Sequence, residues 1–328
     1  YFAALVPGVN QKLIAMLILI AATVVNLIGV KTAASVQNVM VACLLLSLLL
    51  FVVFGLPKVT WSELAFTKAN LMPNGVGNFL QGVALLSFAT GGAKFLAETA
   101  GEVKNAGKTV PRAMIISTVI VAVFYALLGV VATGVLPLDQ VAFQNLTLVA
   151  QTIFPAWLYY FFVSGGALFA LATTLNGTLS WVTRALQLSA EEGWLPKVCA
   201  KENKGGTPVV LLLVFFVVGA IPILTGMDTT TISNMGVGLN QVCLIMEVIA
   251  CWRLPKLMPE AYENATMKMK LPVLRVLLVL SIVLNVATFY VSLSDMTLVV
   301  WISIIVFVVL LAIYTSIRGK QLEAKKVI

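Results

Sequence analysis

No histidine occurs among the 328 residues, and charged side chains make up only 10% of the chain. Without imidazole there is no Ser-His or Cys-His catalytic pair and no histidine ligand for a metal. The four cysteines show no Cys-x-x-Cys spacing, and most lie in apolar stretches where a thiol acts as a small hydrophobe. We therefore expect neither an enzyme nor a metal or cofactor site. The net charge of +8 forms no basic groove interleaved with aromatic residues, so we expect no nucleic-acid partner.

Apolar residues account for 60% of the chain, which is too many for the surface of a water-soluble domain. A helix needs roughly 20 apolar residues to cross a bilayer, whereas the strands of a membrane barrel alternate in polarity over about ten residues. The apolar stretches here are continuous and long. They predict an all-α polytopic bundle of about nine transmembrane helices, at 13–30, 36–56, 79–97, 113–136, 155–183, 208–227, 232–252, 272–293 and 297–317.

The distribution of Lys and Arg between alternate loops predicts the orientation of the bundle. One set of loops holds only Lys12, Lys58 and Lys68, and Lys94 belongs to neither set. Cytoplasmic loops are the ones enriched in Lys and Arg, so the C-terminus is predicted to be cytoplasmic. The other, cytoplasmic set comprises Lys31, Lys104, Lys108, Arg112, Arg184, Lys197, Lys201, Lys204, Arg253, Lys256, Lys268, Lys270, Arg275, Arg318, Lys320, Lys325 and Lys326.

The same orientation places Tyr1 outside the cell. The chain begins without an initiator methionine or a signal peptide, so nothing in it explains how this end crosses the membrane. We therefore expect residues 1–328 to be one transmembrane domain from which upstream helices are missing.

The third predicted span contains Thr90-Gly91-Gly92, which we expect to interrupt the helix because glycine costs about 1 kcal/mol relative to alanine in a helix interior. A break would free peptide groups at membrane depth, as in the discontinuous helices that bind substrates. The alternative is that the glycines allow a neighbouring helix to approach closely.

Ionisable residues inside spans are costly and usually functional. Lys94, Glu98 and Glu102 recur every four residues and predict a polar stripe on one helix face. Glu247 in the seventh span is the other carboxylate at membrane depth. We hypothesise a link between Lys94 and Glu247; an internal pair of Lys94 with Glu98 is the alternative.

The fifth span carries Ser164-Gly165-Gly166, followed by several hydroxyl and amide side chains including Thr173, Thr174 and Asn176. Hydroxyls in such a helix either bond the carbonyl one turn back or supply oxygen ligands to a cation. The spacing does not choose between these roles.

Three sets of residues, which follow one another along the chain in the same order as in the family, resemble the amino acid-polyamine-organocation transporters. The strongest resembles the sixth helix and following loop of that family, and a second resembles the segment after its eighth helix. A weaker match at 26–31 resembles the loop between its fourth and fifth helices. The first set is Phe88 to Gly92 with Gly101-Glu102-Val103-Lys104-Asn105 and Thr109-Val110-Pro111-Arg112-Ala113; the second is Glu192-Gly193-Trp194-Leu195-Pro196 with Gly206-Thr207-Pro208.

The resemblance implies a leucine-transporter-like fold of twelve helices with two inverted repeats, of which the nine spans would be helices four to twelve. It implies that Phe88 lies at an aromatic gate, and that Thr173 and Thr174 lie near sodium ligands of sodium-coupled relatives. Glu98 and Glu247 are predicted to form a polar relay or ion-coupling site. Lys94 stands where many members carry an acidic residue, which disfavours a cationic substrate. The predicted substrate-binding residues are Ser87, Phe88, Ala89, Thr90, Gly91, Gly92 and Lys94.

We therefore predict a secondary active transporter for amino acids or related amines, working by alternating access in a cell (inner) membrane. Its partners would be a small-molecule substrate and the lipid bilayer; sodium coupling, proton coupling, exchange and the oligomeric state stay open. The alternative is a channel or a non-transporting membrane scaffold. A membrane enzyme would require Glu98, Glu247 and a nucleophile to converge, and no motif in the sequence indicates this.

Overall fold

The structure, a computed structural model, describes residues 5–6, 8–62, 64, 72, 75–98, 100–142, 144–227, 229–293 and 297–326. Within these ranges the regular elements are all helical, and the only β-type pairing is an isolated bridge between Glu202 and Pro208. The α-helices are α1 (Gln11–Ile28), α2 (Val30–Gly55), α3 (Gly75–Thr90), α4 (Ala106–Val135), α5 (Leu138–Val141), α6 (Thr147–Ile153), α7 (Ala156–Phe161), α8 (Phe169–Glu191), α9 (Val209–Thr225), α10 (Thr229–Leu257), α11 (Pro259–Glu263), α12 (Leu271–Leu293) and α13 (Leu298–Lys326).

Two of the long helices change their winding. The α-helix α3 continues as a 3₁₀-helix over Gly91–Ala97, and α7 runs through a π-helix over Phe162–Leu168 into α8. A π-helical turn inserts an extra residue into the helix, and such turns are frequent at functional sites. Both changes occur at glycine pairs that the sequence analysis singled out.

The prediction of an all-α polytopic bundle is confirmed. Among the described residues, five helical segments are long and apolar enough to cross a membrane, and two shorter apolar helices accompany them. These seven coincide with seven of the nine predicted spans. The remaining two predicted spans, 79–97 and 232–252, are occupied by α3 with its 3₁₀ continuation and by the more polar α10. The five long segments are Gln11–Ile28, Val30–Lys58, Ala106–Val135, Ala156–Glu191 and Val300–Ala324, and the two shorter ones are Val209–Thr225 and Leu271–Ala287.

The chain divides into two compact units. The first comprises Tyr1–Asn70 and Val119–Gly226, and the second comprises Leu71–Thr118 and Met227–Ile328. Each unit is described below on its own.

The core of the first unit is aromatic and closely packed. The ring of Phe51 on α2 stacks on Phe162 of the π-helix at 5.0 Å between centroids, and Phe154 meets it edge-on at 6.1 Å. A Cβ on Gly55 would lie 2.3 Å from Cγ1 of Val131, so only glycine lets α2 and α4 approach this closely. Small residues at helix contacts are typical of membrane proteins, where packing replaces the hydrophobic effect as the attraction between helices.

The glycines of the π-helix also serve packing. A Cβ on Gly166 would lie 2.4 Å from Oγ of Ser47, which is 1% exposed. Among the described residues this hydroxyl has no hydrogen-bond partner. It therefore lies directly against bare backbone of the π-helix.

The second unit is built around α10. This helix packs against α12 and α13, while α3 packs against α12. The rings of Phe289 and Trp301, one from α12 and one from α13, lie 6.0 Å apart in an edge-on contact. The 3₁₀-helix that follows α3 belongs to the same unit and contacts α3.

Candidate functional site

At the interruption predicted in the third span, the helix changes from α-helical to 3₁₀-helical winding. The α-helical hydrogen bonds of α3 end at Thr90, and Gly91–Ala97 continues as a 3₁₀-helix. The expectation that the chain stops being helical here is therefore corrected: the chain tightens into a 3₁₀-helix instead. Because 3₁₀ hydrogen bonds have poorer geometry than α-helical ones, these seven residues are a weak segment of the helix.

The glycines at this change of winding do not serve close packing between the described helices. A Cβ built on Gly91 or on Gly92 would meet nothing within 4 Å, and both residues are exposed. Within the second unit, the described atoms therefore give no support to the alternative, in which these glycines let a neighbouring helix approach. An open face remains along the backbone where the winding changes.

The predicted substrate segment starts in the last turns of α3. Ser87, Phe88 and Ala89 belong to this helix, but their side chains lie outside the described part of the structure. Thr90 is described, and its hydroxyl donates to the carbonyl of Leu86 at 3.0 Å. An aromatic gate at Phe88 therefore stays a prediction.

The 3₁₀-helix is tied to α10 through Lys94. Its Nζ donates to Oδ1 of Asn240 at 2.7 Å and lies 3.9 Å from Oε1 of Glu247. The same ammonium lies 5.1 Å from the centroid of the Phe95 ring, within range of a cation–π contact. The hypothesised contact between Lys94 and Glu247 is thus confirmed, and the described ion pair of Lys94 is with Glu247 rather than with Glu98.

This charged cluster is only partly closed. The side chain of Lys94 is 25% exposed and that of Glu247 is 57% exposed. Glu98 lies one helical turn beyond Lys94 and is influenced electrostatically by both Lys94 and Glu247. A cation and two carboxylates therefore share one region of the second unit, at the end of the segment whose winding changes.

Asn240 was not among the residues singled out from the sequence. The signal that points to it is its position on the same face of α10 as Glu247, two turns earlier, which a helical wheel of this polar helix displays. The amide oxygen of Asn240 and the carboxylate of Glu247 thus both contact the ammonium of Lys94. An ionisable group inside a membrane needs such polar partners.

The predicted ion ligands on α8 bond within their own helix. The hydroxyls of Thr173 and Thr174 both donate to the carbonyl of Ala170, at 3.0 and 2.9 Å. Bonding to a carbonyl one turn back, one of the two roles left open by the sequence, is therefore observed. Among the described residues, no group of histidine, cysteine or acidic side chains is arranged to hold a metal ion.

A neutral network lies beside Thr173 in the first unit. Asn176 on α8 accepts from Nδ2 of Asn26 at 2.8 Å and donates to Gln37 at 2.8 Å and to the carbonyl of Ala33 at 3.2 Å. Gln37 in turn donates to the carbonyl of Thr173 at 3.2 Å. With Asn26 4% and Asn176 3% exposed, the network is closed and joins α1, α2 and α8.

Two segments that carry the family resemblance meet at the end of this network. The hydroxyl of Thr207 donates to the carbonyl of Asn26 at 2.7 Å, and Nδ2 of Asn203 donates to the carbonyl of Leu27 at 2.6 Å. A Cβ on Gly205 would lie 2.5 Å from the carbonyl oxygen of Ile28. The loop after α8 thus presses on the corner between α1 and α2, where Gly29 adopts a φ of 147°. Sequence order alone gives no sign of this contact.

An ion pair fastens the base of the same loop. Arg184 binds Glu202 at 2.7 Å and also donates to the carbonyl of Gly206 at 2.6 Å. Gln187 donates to the same carboxylate at 2.8 Å. The hydrogen bond from Gln187, followed by that from Arg184, holds the pKa of Glu202 below its ordinary value, although burial acts in the opposite direction.

Comparison with known proteins places these features in a family context. The family model described as amino acid permease matches residues 2–315. The branched-chain amino acid permease BcaP of Bacillus subtilis (strain 168) is 26% identical over 310 residues, covering 91% of this chain and 61% of the relative.

Two human transporters are also similar. The Asc-type amino acid transporter 1 is 30% identical over 267 residues, covering 76% of this chain and 50% of the relative. The large neutral amino acids transporter small subunit 2 is 28% identical over 271 residues, covering 76% of this chain and 48% of the relative. The chain thus spans roughly half to three fifths of the length of these curated relatives, all named as permeases or transporters rather than enzymes.

Proposed function

The chain belongs to the amino acid permease family and is an integral membrane protein, and from this we propose that it acts in secondary transport of amino acids. The transporter works by alternating access, with substrate bound where α3 changes to the 3₁₀-helix. The single observation that carries the site assignment is that change of winding beside an open glycine face.

The chemistry of that segment suits a zwitterion. A helix that changes winding presents peptide groups whose hydrogen bonds are weaker than those of a regular α-helix. A substrate bound there stabilises the conformation in which more of these peptide groups contact it. Transport depends on this difference in substrate affinity between conformations. The ligand needs one carboxylate and one ammonium group, which every amino acid supplies.

The residue type at position 94 narrows the expected substrate class. Many members of the family that the sequence resembles carry an acidic residue at this position, and a lysine there disfavours substrates with an additional positive charge. Two of the relatives are named for branched-chain and large neutral amino acids. We propose neutral amino acids as the substrate class, with Lys94, Glu98 and Glu247 as a polar relay whose coupling ion is sodium or a proton.

The arrangement in the membrane is proposed from the loop charges and the family resemblance. Residues 1–328 form one transport domain whose long helical segments correspond to helices four to twelve of a leucine-transporter-like fold. The protein resides in a cell (inner) membrane with a cytoplasmic C-terminus. Cysteine accessibility of a variant with Glu323→Cys, tested from each side of sealed vesicles, checks the orientation.

The experiment that tests the function is uptake of radiolabelled amino acids by the full-length gene product in proteoliposomes. We expect saturable uptake of leucine and related neutral amino acids, with lysine and arginine poorly transported. The variant Gly92→Leu places a bulky side chain on the open glycine face and should raise KM or abolish uptake.

A matched control is Gly129→Leu on α4. A Cβ at Gly129 also meets nothing within 4 Å of the described atoms, and this glycine is likewise exposed, but its helix is uninterrupted. Equal uptake by the two variants would refute the site assignment. Non-saturable flux of every amino acid tested would instead indicate a channel and refute the carrier.

A further inference from the structure

Positive charge and exposed apolar side chains occur together where α10 ends, along the segment that joins it to α12, and at the start of α12. We call these residues, 251–275, the basic linker. It contains five Lys and Arg residues and two glutamates: Arg253, Lys256, Lys268, Lys270 and Arg275, with Glu260 and Glu263. Among the described ion pairs, only that of Lys268 with Glu263 neutralises one of these cations. Four cations are therefore left without an acidic partner in the described part of the chain.

The basic linker has a defined conformation. The hydroxyl of Tyr262, in the short helix α11, donates to the carbonyl of Met269 at 2.5 Å, and the linker folds back on itself. At its two ends, the guanidinium of Arg275 lies 5.4 Å from the centroid of the Trp252 ring. The linker is therefore folded back on itself, and Arg275 at its end is held beside the Trp252 ring.

Large apolar side chains alternate with these cations at the surface. Leu257 is 69% exposed and Met258 is 57% exposed, and the run from Met267 to Leu271 alternates apolar and lysine residues that are all exposed. A solvated charged loop has no physical reason to expose so many large apolar groups. A bilayer interface accommodates both apolar and positively charged side chains, because aliphatic groups enter the acyl region while Lys, Arg and Trp side chains reach the headgroups.

A second basic segment contacts the basic linker. A Cβ on Gly107, at the start of α4, would lie 2.8 Å from Oγ1 of Thr266. Lys104, Lys108 and Arg112 flank this contact and are exposed. Their charges add to the field of the basic linker within the same compact unit.

From the combination of unpaired cations, exposed apolar groups and a fixed conformation, we propose that the basic linker binds anionic phospholipid headgroups at the membrane surface. Arg253, Lys256, Lys270 and Arg275 contact the phosphates, and Leu257 and Met258 enter the acyl region beneath them. Clusters of basic residues next to a membrane helix bind anionic lipids through this electrostatic attraction. The proposal is independent of the transported substrate.

Lipid retention on the purified full-length protein tests the proposal directly. The protein in neutral detergent is titrated with phosphatidylglycerol or with phosphatidylcholine, and bound lipid is counted by native mass spectrometry. We expect preferential retention of phosphatidylglycerol by the wild-type protein. Replacing Arg253, Lys256, Lys270 and Arg275 with glutamine should weaken this binding at least about tenfold.

The control removes the same number of positive charges elsewhere. Lys31, Lys197, Lys201 and Lys320 are all exposed, and their replacement with glutamine leaves the basic linker intact. This variant should retain phosphatidylglycerol as the wild type does. Equal loss in both variants would reduce the effect to net charge and overturn the proposal, as would equal retention of the two lipids by the wild type.

A second variant guards against misfolding of the first. Leu257→Gln together with Met258→Gln keeps every cation and should weaken phosphatidylglycerol binding by a smaller factor, about threefold, since only the inserted apolar groups are lost. Unchanged binding in this variant would show that no side chain enters the acyl region. It would overturn that half of the proposal.

Discussion

Two polar clusters lie inside the helical bundle, and they are built differently. In the first unit, Asn26, Gln37 and Asn176 form a neutral network that is nearly sealed from solvent. In the second unit, Lys94 meets Asn240 and Glu247 in a charged cluster with half-exposed members. The neutral network joins three long regular helices, whereas the charged cluster joins a 3₁₀-helix to its neighbour.

This difference indicates which polar side chains stabilise the fold and which take part in function. Buried amides that satisfy one another fix how helices pack, and they do not need to change partners. A charged pair at membrane depth is costly to keep, and partial exposure leaves it free to exchange partners with a ligand or an ion. We therefore expect substitutions in the neutral network to change stability, and substitutions in the charged cluster to change transport.

The largest expected effect follows from reversing charge in the second unit. Lys94→Glu puts a carboxylate opposite Glu247, and a charge without a partner in a membrane helix costs about 2.5–3.5 kcal/mol, so uptake should fall at least about a hundredfold. Glu247→Lys should have a similar effect. The double variant restores the opposite charges and should recover a substantial part of the uptake measured in proteoliposomes.

Failure of the double variant to recover uptake would remove the pair from the mechanism. The variant Asn240→Ala provides a finer measure, because it deletes the 2.7 Å hydrogen bond and leaves the ion pair in place. A changed pH profile of uptake with an unchanged melting temperature would support a role in transport. A lower melting temperature alone would make Asn240 a packing residue.

The largest stability effect is expected where the loop after α8 presses on the α1–α2 corner. Gly205→Ala would place a methyl group 2.5 Å from the carbonyl oxygen of Ile28 and 2.8 Å from Cα of Gly29. Overpacking against backbone costs about 1–3 kcal/mol. Thermal unfolding in detergent should therefore show a clear decrease in melting temperature.

Gly177→Ala is the matched control. A Cβ on Gly177 meets only Nε2 of Gln37, at an ordinary 3.7 Å, and alanine favours a helix over glycine by about 1 kcal/mol. This variant should be neutral or more stable than the wild type. If both glycine variants unfold at the same temperature, the close contact between loop and corner is not important for stability.

The neutral network itself should respond more weakly. Asn176→Leu removes the acceptor for Asn26 and the donor to Gln37, and hydrogen bonds between membrane helices contribute about 0.6 kcal/mol on average. We expect a loss of about 1 kcal/mol in stability with an unchanged KM for substrate. A changed KM at unchanged stability would contradict the distinction between the two clusters.

A conservative comparison is Ser316→Ala on α13. The hydroxyl of Ser316 donates to the carbonyl of Ala312 in its own exposed helix at 2.7 Å, so its removal should change stability by less than about 0.5 kcal/mol. An equal loss from Ser316→Ala and Asn176→Leu would show that the buried network adds nothing beyond local helix bonding.

The apolar stretches and the interruption at Gly91-Gly92 were predictable from the sequence, because spanning length and helix propensity are local properties. The π-helix at Gly165-Gly166 was not predicted. The link between Lys94 and Glu247 could also be predicted, since each is the deepest charge of its span. The contribution of Asn240 and the contact of Gly205 with Ile28 could not. They depend on how helices far apart in sequence pack, which composition and periodicity do not encode. The form of the interruption after Thr90, a 3₁₀-helix, likewise depends on the surrounding helices.

A small effect is expected at Glu202, and its distinguishing feature is a dependence on pH. Because the folded state lowers the pKa of Glu202 below its ordinary value of 4.5, the ionised carboxylate stabilises the fold above that pH, and this contribution is lost as the pH falls through the folded-state pKa. With the side chain 40% exposed, the gain over Glu202→Gln at neutral pH should stay under about 1 kcal/mol. The difference in melting temperature between the two proteins should therefore shrink on acidification. A difference that stays constant from neutral to acidic pH would mean that Arg184 and Gln187 hold the loop regardless of the charge on Glu202. The loop that contacts Asn26 of the neutral network would then be held in place by hydrogen bonds and not by the negative charge of Glu202.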